Sequence, residues 1–254
     1  MSPMHIRRIG SSPLKGGRHM YHDSVEFALQ GPVGDRVFAA VDPTSGTVLK
    51  TVQNPALLDC SAQWAGGVLT IDIDGERHSA VPRPVGPRLE LDYWGRPSAL
   101  RLVEGPWAAP LSRLLEREVV LAQAALPGAV VYGDAVSIAT TGSLRRLAEA
   151  AGHGVDARRF RSNLEIDTGD TDPHLEDEWA GRELVVGGAA LRVSGGIPRC
   201  AVIDLDPARG ASATRLLKTL AGYRLAAGEI TFGVYATVLR AGVIARGDAV
   251  TLTS

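Results

Sequence analysis

Cysteine is nearly absent: Cys60 and Cys200 are the only two in 254 residues. Two thiols in a chain this long do not make a disulfide framework, so a reducing, cytoplasmic setting is the expectation. They are also too few to hold an iron–sulfur cluster. No CxxC or HExxH occurs, and none of His5, His19, His22, His78, His153 and His174 is paired at zinc-ligand spacing on a plausible helix, which argues against structural zinc. A net charge of −1 gives no basic field for nucleic acid. No apolar run approaches the ~18 residues of a membrane span, and the opening Met1-Ser-Pro-Met-His-Ile-Arg-Arg is not followed by an apolar secretory stretch. The expectation is therefore a protein with no membrane and no nucleic-acid partner.

Short strand signals dominate what is present. Val68–Ile73 alternates and is followed by the hairpin pair Asp74-Gly75; Leu184–Val186 and Ala190–Val193 flank Gly187-Gly188. Val37–Val41, Thr231–Leu239 and Ala249–Leu252 read as further strands. Many short strands with regular turns predict a barrel or sandwich. Helices are few. Ser143–Ala151 has apolar residues at helical spacing and Gly152 as a stop; Ser112–Gln123 and Ser212–Leu220 are two more candidates. The proline- and glycine-rich stretch Val81–Pro110 reads as long connections around at most short strands, and as the seam between a domain at 1–100 and a domain at 101–254. The fold class is mainly β with a few helices (α+β).

Cys200 is the most informative residue. It follows Arg199 in the turn Gly196-Ile197-Pro198-Arg199-Cys200, shortly before Asp206-Pro207. A neighbouring cation favours the thiolate, which is both nucleophile and metal ligand. Cys60, by contrast, reads as a small buried hydrophobe. Three other segments present cations beside turns: Ser12-Pro-Leu-Lys15-Gly-Gly, Gly34-Asp35-Arg36, and Arg158-Arg159-Phe160-Arg161-Ser162-Asn163. Lysine serves as a point charge for phosphate, arginine as a fork for planar anions. Each also reads as an ordinary solvated loop, with Asp35 as an exposed partner of Arg36. Arg161 and Asn163, two apart on an extended segment, would point the same way. Glu176-Asp177-Glu178-Trp179 reads as a solvated acidic turn with a packed tryptophan, and Asp167, Asp170 and Asp172 lack calcium-loop spacing.

In this order the segments resemble the MOSC family, in particular members with an added N-terminal barrel such as the mitochondrial amidoxime-reducing component and its bacterial relatives. Ser12-Pro-Leu-Lys15-Gly is similar to the family's YPVKG-type opening and Gly34-Asp35-Arg36 to its GDR. Gly133-Asp134 with Ser137 through Ser143-Leu144 is similar to its central strand and helix start. Phe160-Arg161-Ser162-Asn163 is similar to FRPN, Glu176-Asp-Glu-Trp179 to EDxW, and Arg199-Cys200 with Asp206-Pro207 to RC…DP. Phe232-Gly-Val-Tyr235 and Gly247-Asp248 are similar to the closing strands. Three departures stand out: Ser12 replaces an aromatic, Thr51-Val-Gln-Asn-Pro55 lacks an arginine, and Ile203-Asp204 replaces a hydroxyl pair.

The resemblance implies a MOSC-type β-barrel with a smaller N-terminal barrel-like domain, and a molybdenum cofactor of the molybdopterin type bound between the halves. It implies Cys200 as thiolate ligand to the metal. It implies Lys15, Arg36 and Arg161 around the pterin phosphate and ring, with Arg199, Asn163, Asp134, Thr140 and Ser143 as further cofactor-binding candidates. The implied activity is two-electron oxygen removal from N-oxygenated small molecules, with a separate electron-donor protein. The rival is sulfur transfer through a Cys200 persulfide supplied by a cysteine desulfurase; a third reading is a cofactor-binding module without turnover. No lysine reads as a pyridoxal-phosphate Schiff-base site.

Overall fold

The computed structural model describes residues 4–253. Strands dominate it, and the mainly β architecture with a few helices expected from the sequence is what forms. A nine-stranded sheet runs in the order Met20–His22, His5–Ser11, Leu164–Asp167, Val136–Thr140, Glu229–Arg240, Ala189–Pro198, Glu183–Val186, Val250–Thr253, with Leu225–Ala226 paired off to one side. A bridge between His5 and Ala249 ties its last strand back to its second. Arg83–Tyr93, Arg96–Glu104, Val120–Ala124, Phe38–Asp42 and Thr47–Val48 form a closed barrel. Ser24–Ala28 pairs with Gly242–Ala245 and Gly31–Pro32, and Cys60–Ala65, Val68–Ile73 and Glu76–Ala80 form a separate meander.

The strand pairings cross residue 100 in both directions. His5–Ser11 lies in the sheet of the second half, pairing antiparallel with Leu164–Asp167, while Arg96–Glu104 and Val120–Ala124 belong to the barrel. The stretch expected as long connections holds the barrel's longest hairpin instead. Pro87 falls in an irregularity between Val85 and Leu89, beside Gly86 at φ 66°, so its missing N–H lies where the ladder is already broken; Pro84 and Pro97 stand within the paired register, opposite Val103 and Asp92.

Two apolar cores lie on either side of a seam. Ile6, Ile9, Ile138, Leu164 and Val234 fill one; Leu14, Phe38, Trp107 and Leu121 fill the other. The chain leaves the first core at Ile9 and reaches the second at Leu14, and Lys15 follows at once. Alternating apolar residues bury each strand's inner face, and this change of core fixes what stands at the seam.

The helices differ in extent from expectation. α1 is Ala108–Leu114, and Val120–Ala124 is a barrel strand. Glu116 adopts a left-handed φ of 51°, which ends the helix, and the Ser112 hydroxyl accepts from the Val119 amide as the chain turns. α2, Thr141–Ala151, matches closely: the Thr140 side chain accepts from the Ser143 amide and Gly152 closes the helix at φ 73°. α3 is Leu216–Arg224, shifted along the chain from the expected Ser212–Leu220. The Asp204 carboxylate accepts from the Leu217 amide and so starts the helix late; Leu216 and Leu220 fill the core and Gly222 lies inside it.

Thr140 and Ser143 do not face a ligand. Both hydroxyls donate to Glu176, at 2.8 and 2.6 Å, and all three residues are buried. The acidic turn is therefore anchored by its first carboxylate as well as by buried Trp179, and is not fully solvated. Burial raises the Glu176 carboxyl above its ordinary range, against the lowering effect of the two hydroxyl bonds.

Two outcomes follow. A group whose folded pKa is raised stabilises at low pH and loses that contribution as pH rises past its unfolded value. Relative to Glu176→Gln, the native chain should therefore lose stability as pH rises above the ordinary glutamate range, read as the difference between urea midpoints at pH 4 and pH 8; parallel profiles would contradict this. Gly233 sits at φ 70° where an added Cβ would stand 2.3 Å from the Ile138 carbonyl oxygen. Gly233→Ala should cost about 2–4 kcal/mol by strain and overpacking, measured by chemical denaturation.

Candidate functional site

The seam opens into a cleft of about 290 Å³. Its lining includes Lys15, Arg36, Lys50, Arg159, Arg161 and Arg199, together with Cys200, and no lining residue is a carboxylate. Six cations facing one concavity without an acid among them make a receptor for an anion.

Backbone contacts set each cation in place. The Lys15 amide donates to the Phe38 carbonyl at 2.7 Å, tying the turn after His5–Ser11 to the barrel. Arg36 has a left-handed φ of 50°, and its amide donates to the Ser12 carbonyl at 2.8 Å. Its guanidinium is held by the Asp35 carboxylate, which also accepts from the Ser12 amide at 2.9 Å. Asp35 is buried rather than the exposed partner the sequence suggested; burial alone would raise its carboxyl, but the charge and hydrogen bond of Arg36 and the Ser12 amide hold it below the usual range.

Asn163 joins these pieces from beneath. Its Oδ1 accepts from Ser137 N and Oγ and from Arg36 Nη2 at 3.2 Å; its Nδ2 donates to the Gly10 carbonyl and to Asp35, each at 3.1 Å. It is fully buried and positions the cations without lining the cleft. Arg161 is not on an extended segment: it caps a 3-10 turn at φ 53°, and its Nη1 donates to the Gly17 carbonyl at 2.7 Å. Asn163 and Arg161 thus serve one site from different directions. Asp134 lies in the turn before Val136–Thr140, outside the cleft lining, and acts electrostatically on Tyr235.

Cys200 is exposed at the cleft, whereas Cys60 is buried and its thiol is pushed up to about 12 by desolvation. The guanidinium of Arg199 turns away from the sulfur's own residue. It donates to the carbonyls of Phe232 (2.8 Å) and Phe160 (3.0 Å) and stacks 5.2 Å from the Phe160 ring centroid. Its Nη2 is buried with no partner within the protein. Burial lowers Arg199 and, with Arg36 adding repulsion, Arg161, each to about 10. Lys15 is drawn down to about 7 by burial and by the charges of Arg36 and Arg161.

Five of the expected residues, Lys15, Arg36, Arg161, Arg199 and Cys200, meet in this cleft; Asn163 supports it; Asp134, Thr140 and Ser143 stand elsewhere. Lys50, Arg159, Trp94, Tyr132 and Tyr235 were not anticipated. Arg159 lies within a quoted motif; Lys50 and Trp94 gave only the signal of a charge and a ring beside turns. The residues fit a phosphorylated, metal-bearing group: the gathered cations and the orphaned Arg199 Nη2 suit an anion, and an exposed thiol is a soft metal ligand. Among the described residues no cluster of three His, Cys, Asp or Glu forms a metal site of protein ligands alone, and no helix is long and apolar enough to cross a membrane.

The MOSC domain family matches residues 127–251. The molybdenum cofactor sulfurases of Solanum lycopersicum and Oryza sativa subsp. japonica are each 40% identical over 82 residues, 32% of this chain and 10% of theirs. The shared segment is thus a tenth of the length of these relatives. Among solved structures, the YuaD protein from Bacillus subtilis is 12% identical with a TM-score of 0.47, covering 98% of this chain and 94% of that one. YiiM from Geobacillus stearothermophilus is 21% identical with a TM-score of 0.36, covering 47% and 54%. This chain carries a MOSC domain, spanning residues 127–251.

Proposed function

We propose that this protein binds a phosphorylated pterin molybdenum cofactor in the seam cleft and reduces N-oxygenated small molecules. The observation that carries this reading is the exposed Cys200 thiol in a cleft with six cations and no carboxylate. Cys200 would ligate the metal through its thiolate; Lys15, Arg36 and Arg161 would hold the phosphate and pterin. When bound, such a cofactor supplies two-electron chemistry that removes the substrate oxygen as water, with electrons from a separate donor protein.

The chain's own contribution is electrostatic and positional. Asp35 and Asn163 fix Arg36, so the site pays little reorganisation on receiving an anion. Lys15, at about 7, exchanges a proton with solvent near neutrality. An anion beside it favours the charged form, so binding above pH 7 takes up a proton. Water formation consumes two protons, and Lys15 is a group within the cleft that can relay one.

A second reading is favoured by the relatives, whose names are molybdenum cofactor sulfurase. Here the thiolate of Cys200 attacks the sulfane sulfur of a desulfurase persulfide, the donor cysteine leaves as thiolate, and Cys200 carries the sulfur to an acceptor.

Metal and pterin content of the purified protein separates these readings. Stoichiometric molybdenum and pterin support the first; a mass increment of one sulfur on Cys200 without molybdenum supports the second. Cys200→Ala should lower bound molybdenum at least about tenfold, the smaller end of what removing a mere supporting partner costs. Retained molybdenum would sink the ligand assignment. Reduction of an amidoxime with an artificial donor separates turnover from carriage. Pyrophosphate binding at pH 8, compared by calorimetry in two buffers of different ionisation enthalpy, should show uptake of up to about one proton that vanishes in Lys15→Met.

A further inference from the structure

The barrel hairpin Arg83–Tyr93/Arg96–Glu104 ends in a two-residue loop, Trp94-Gly95, closed by the pair Tyr93–Arg96. Both loop residues have positive φ, 59° at Trp94 and 76° at Gly95. This turn favours Asn, Asp or Gly at its first position. The neighbouring hairpin of the meander uses Asp74-Gly75 in the same way, with φ 53° and 83°. A tryptophan held in the left-handed region is a strained choice, and such strain concentrates at functional sites.

Its surroundings give the strain a use. Trp94 lines the mouth of the cleft and is 45% exposed. Tyr132, 50% exposed, lies with its ring centroid 5.5 Å away at an interplanar angle of 56°, so the two rings make a bent aromatic wall. Lys50 Nζ stands 4.2 Å from the Trp94 centroid. The cleft behind holds further cations and no carboxylate. A flat ring gains by stacking on such a wall, and a negative substituent on it gains from Lys50 and the inner cations. A cationic ligand meets the repulsion of Lys50, which already covers the Trp94 face, and of the inner cations.

We propose that Trp94, Tyr132 and Lys50 form a specificity site at the cleft mouth that selects planar aromatic anions as substrates over aliphatic ones. The proposal deepens the reading of the cleft as a substrate-reducing site and rests on it. The loop residue is chosen for ligand contact at the expense of turn stability, so the two properties trade against each other.

The test uses 2-naphthoate as probe and cyclohexanecarboxylate as the aliphatic control, titrated calorimetrically into the purified full-length protein whose metal and pterin content is measured in parallel. The native protein should bind 2-naphthoate more tightly than the control. Trp94→Asn should weaken naphthoate about 3- to 10-fold while leaving the control unchanged, and should raise the melting temperature by about 2–4 °C because asparagine suits the turn. Tyr132→Leu should weaken naphthoate similarly without the thermal gain, and Lys50→Gln should weaken both anions. Equal affinity for the two probes, or no loss in either aromatic variant, overturns the proposal. Loss of pterin content in Trp94→Asn also overturns it, since the wall would then hold the cofactor rather than the substrate. Absence of molybdenum from the native protein with aromatic selection intact would instead count against the redox reading alone.

Discussion

The hydrogen bonds of Asn163 are the constraint on which the site depends. One buried amide accepts from a strand backbone, a serine hydroxyl and a guanidinium, and donates to a carbonyl and a carboxylate. These partners come from three separate stretches of the chain: Gly10, Asp35-Arg36 and Ser137. A buried amide that satisfies its partners this fully is costly to replace, because every partner would be left unpaired in a region without water. Arg36 needs this support. It faces Lys15 and Arg161, and Asp35 offsets the repulsion on all three.

That repulsion is stored until an anion arrives. The depressed lysine and arginines mark how strongly burial and mutual repulsion in the cleft disfavour its own charge. The buried residue network elsewhere tolerates this because two complete apolar cores flank the seam and hold its walls apart. Stability and receptivity are thereby separated in space: hydrocarbon burial fixes the strands, and the line between the cores carries unbalanced charge.

Part of this was legible in the sequence. Alternation and hairpin pairs located the meander, the Gly187-Gly188 hairpin and α2, since local chemistry decides those elements. Cys200 stood out by its arginine neighbour, but Lys15, Arg36 and Arg161 read equally well as solvated loops, and it was the order of the segments and its resemblance to the MOSC family that named them. What could not be read was non-local. Thr140 and Ser143 have the residue types of ligand hydroxyls, but the tertiary position of Glu176 claims them. The proline-rich stretch hid a long hairpin because its register holds Pro84 and Pro97 and breaks only around Pro87, and Ser112–Gln123 was misjudged because barrel closure outweighs helical spacing. Trp94 was invisible because its meaning lies in a backbone angle rather than in a pattern.

The pairing of His5–Ser11 with Leu164–Asp167 has a consequence for biosynthesis. Ribosomes release a polypeptide from its amino end, yet this strand's partner emerges only some 150 residues later, and the bridge from His5 to Ala249 waits longer still. Long-range pairing of this kind is slow to form and leaves an edge open meanwhile. Lys15 and Arg36 lie outside residues 127–251, so the MOSC segment cannot assemble the cleft by itself. The cleft, whose lining runs from Lys15 to Tyr235, is therefore complete only after nearly the whole chain has left the ribosome.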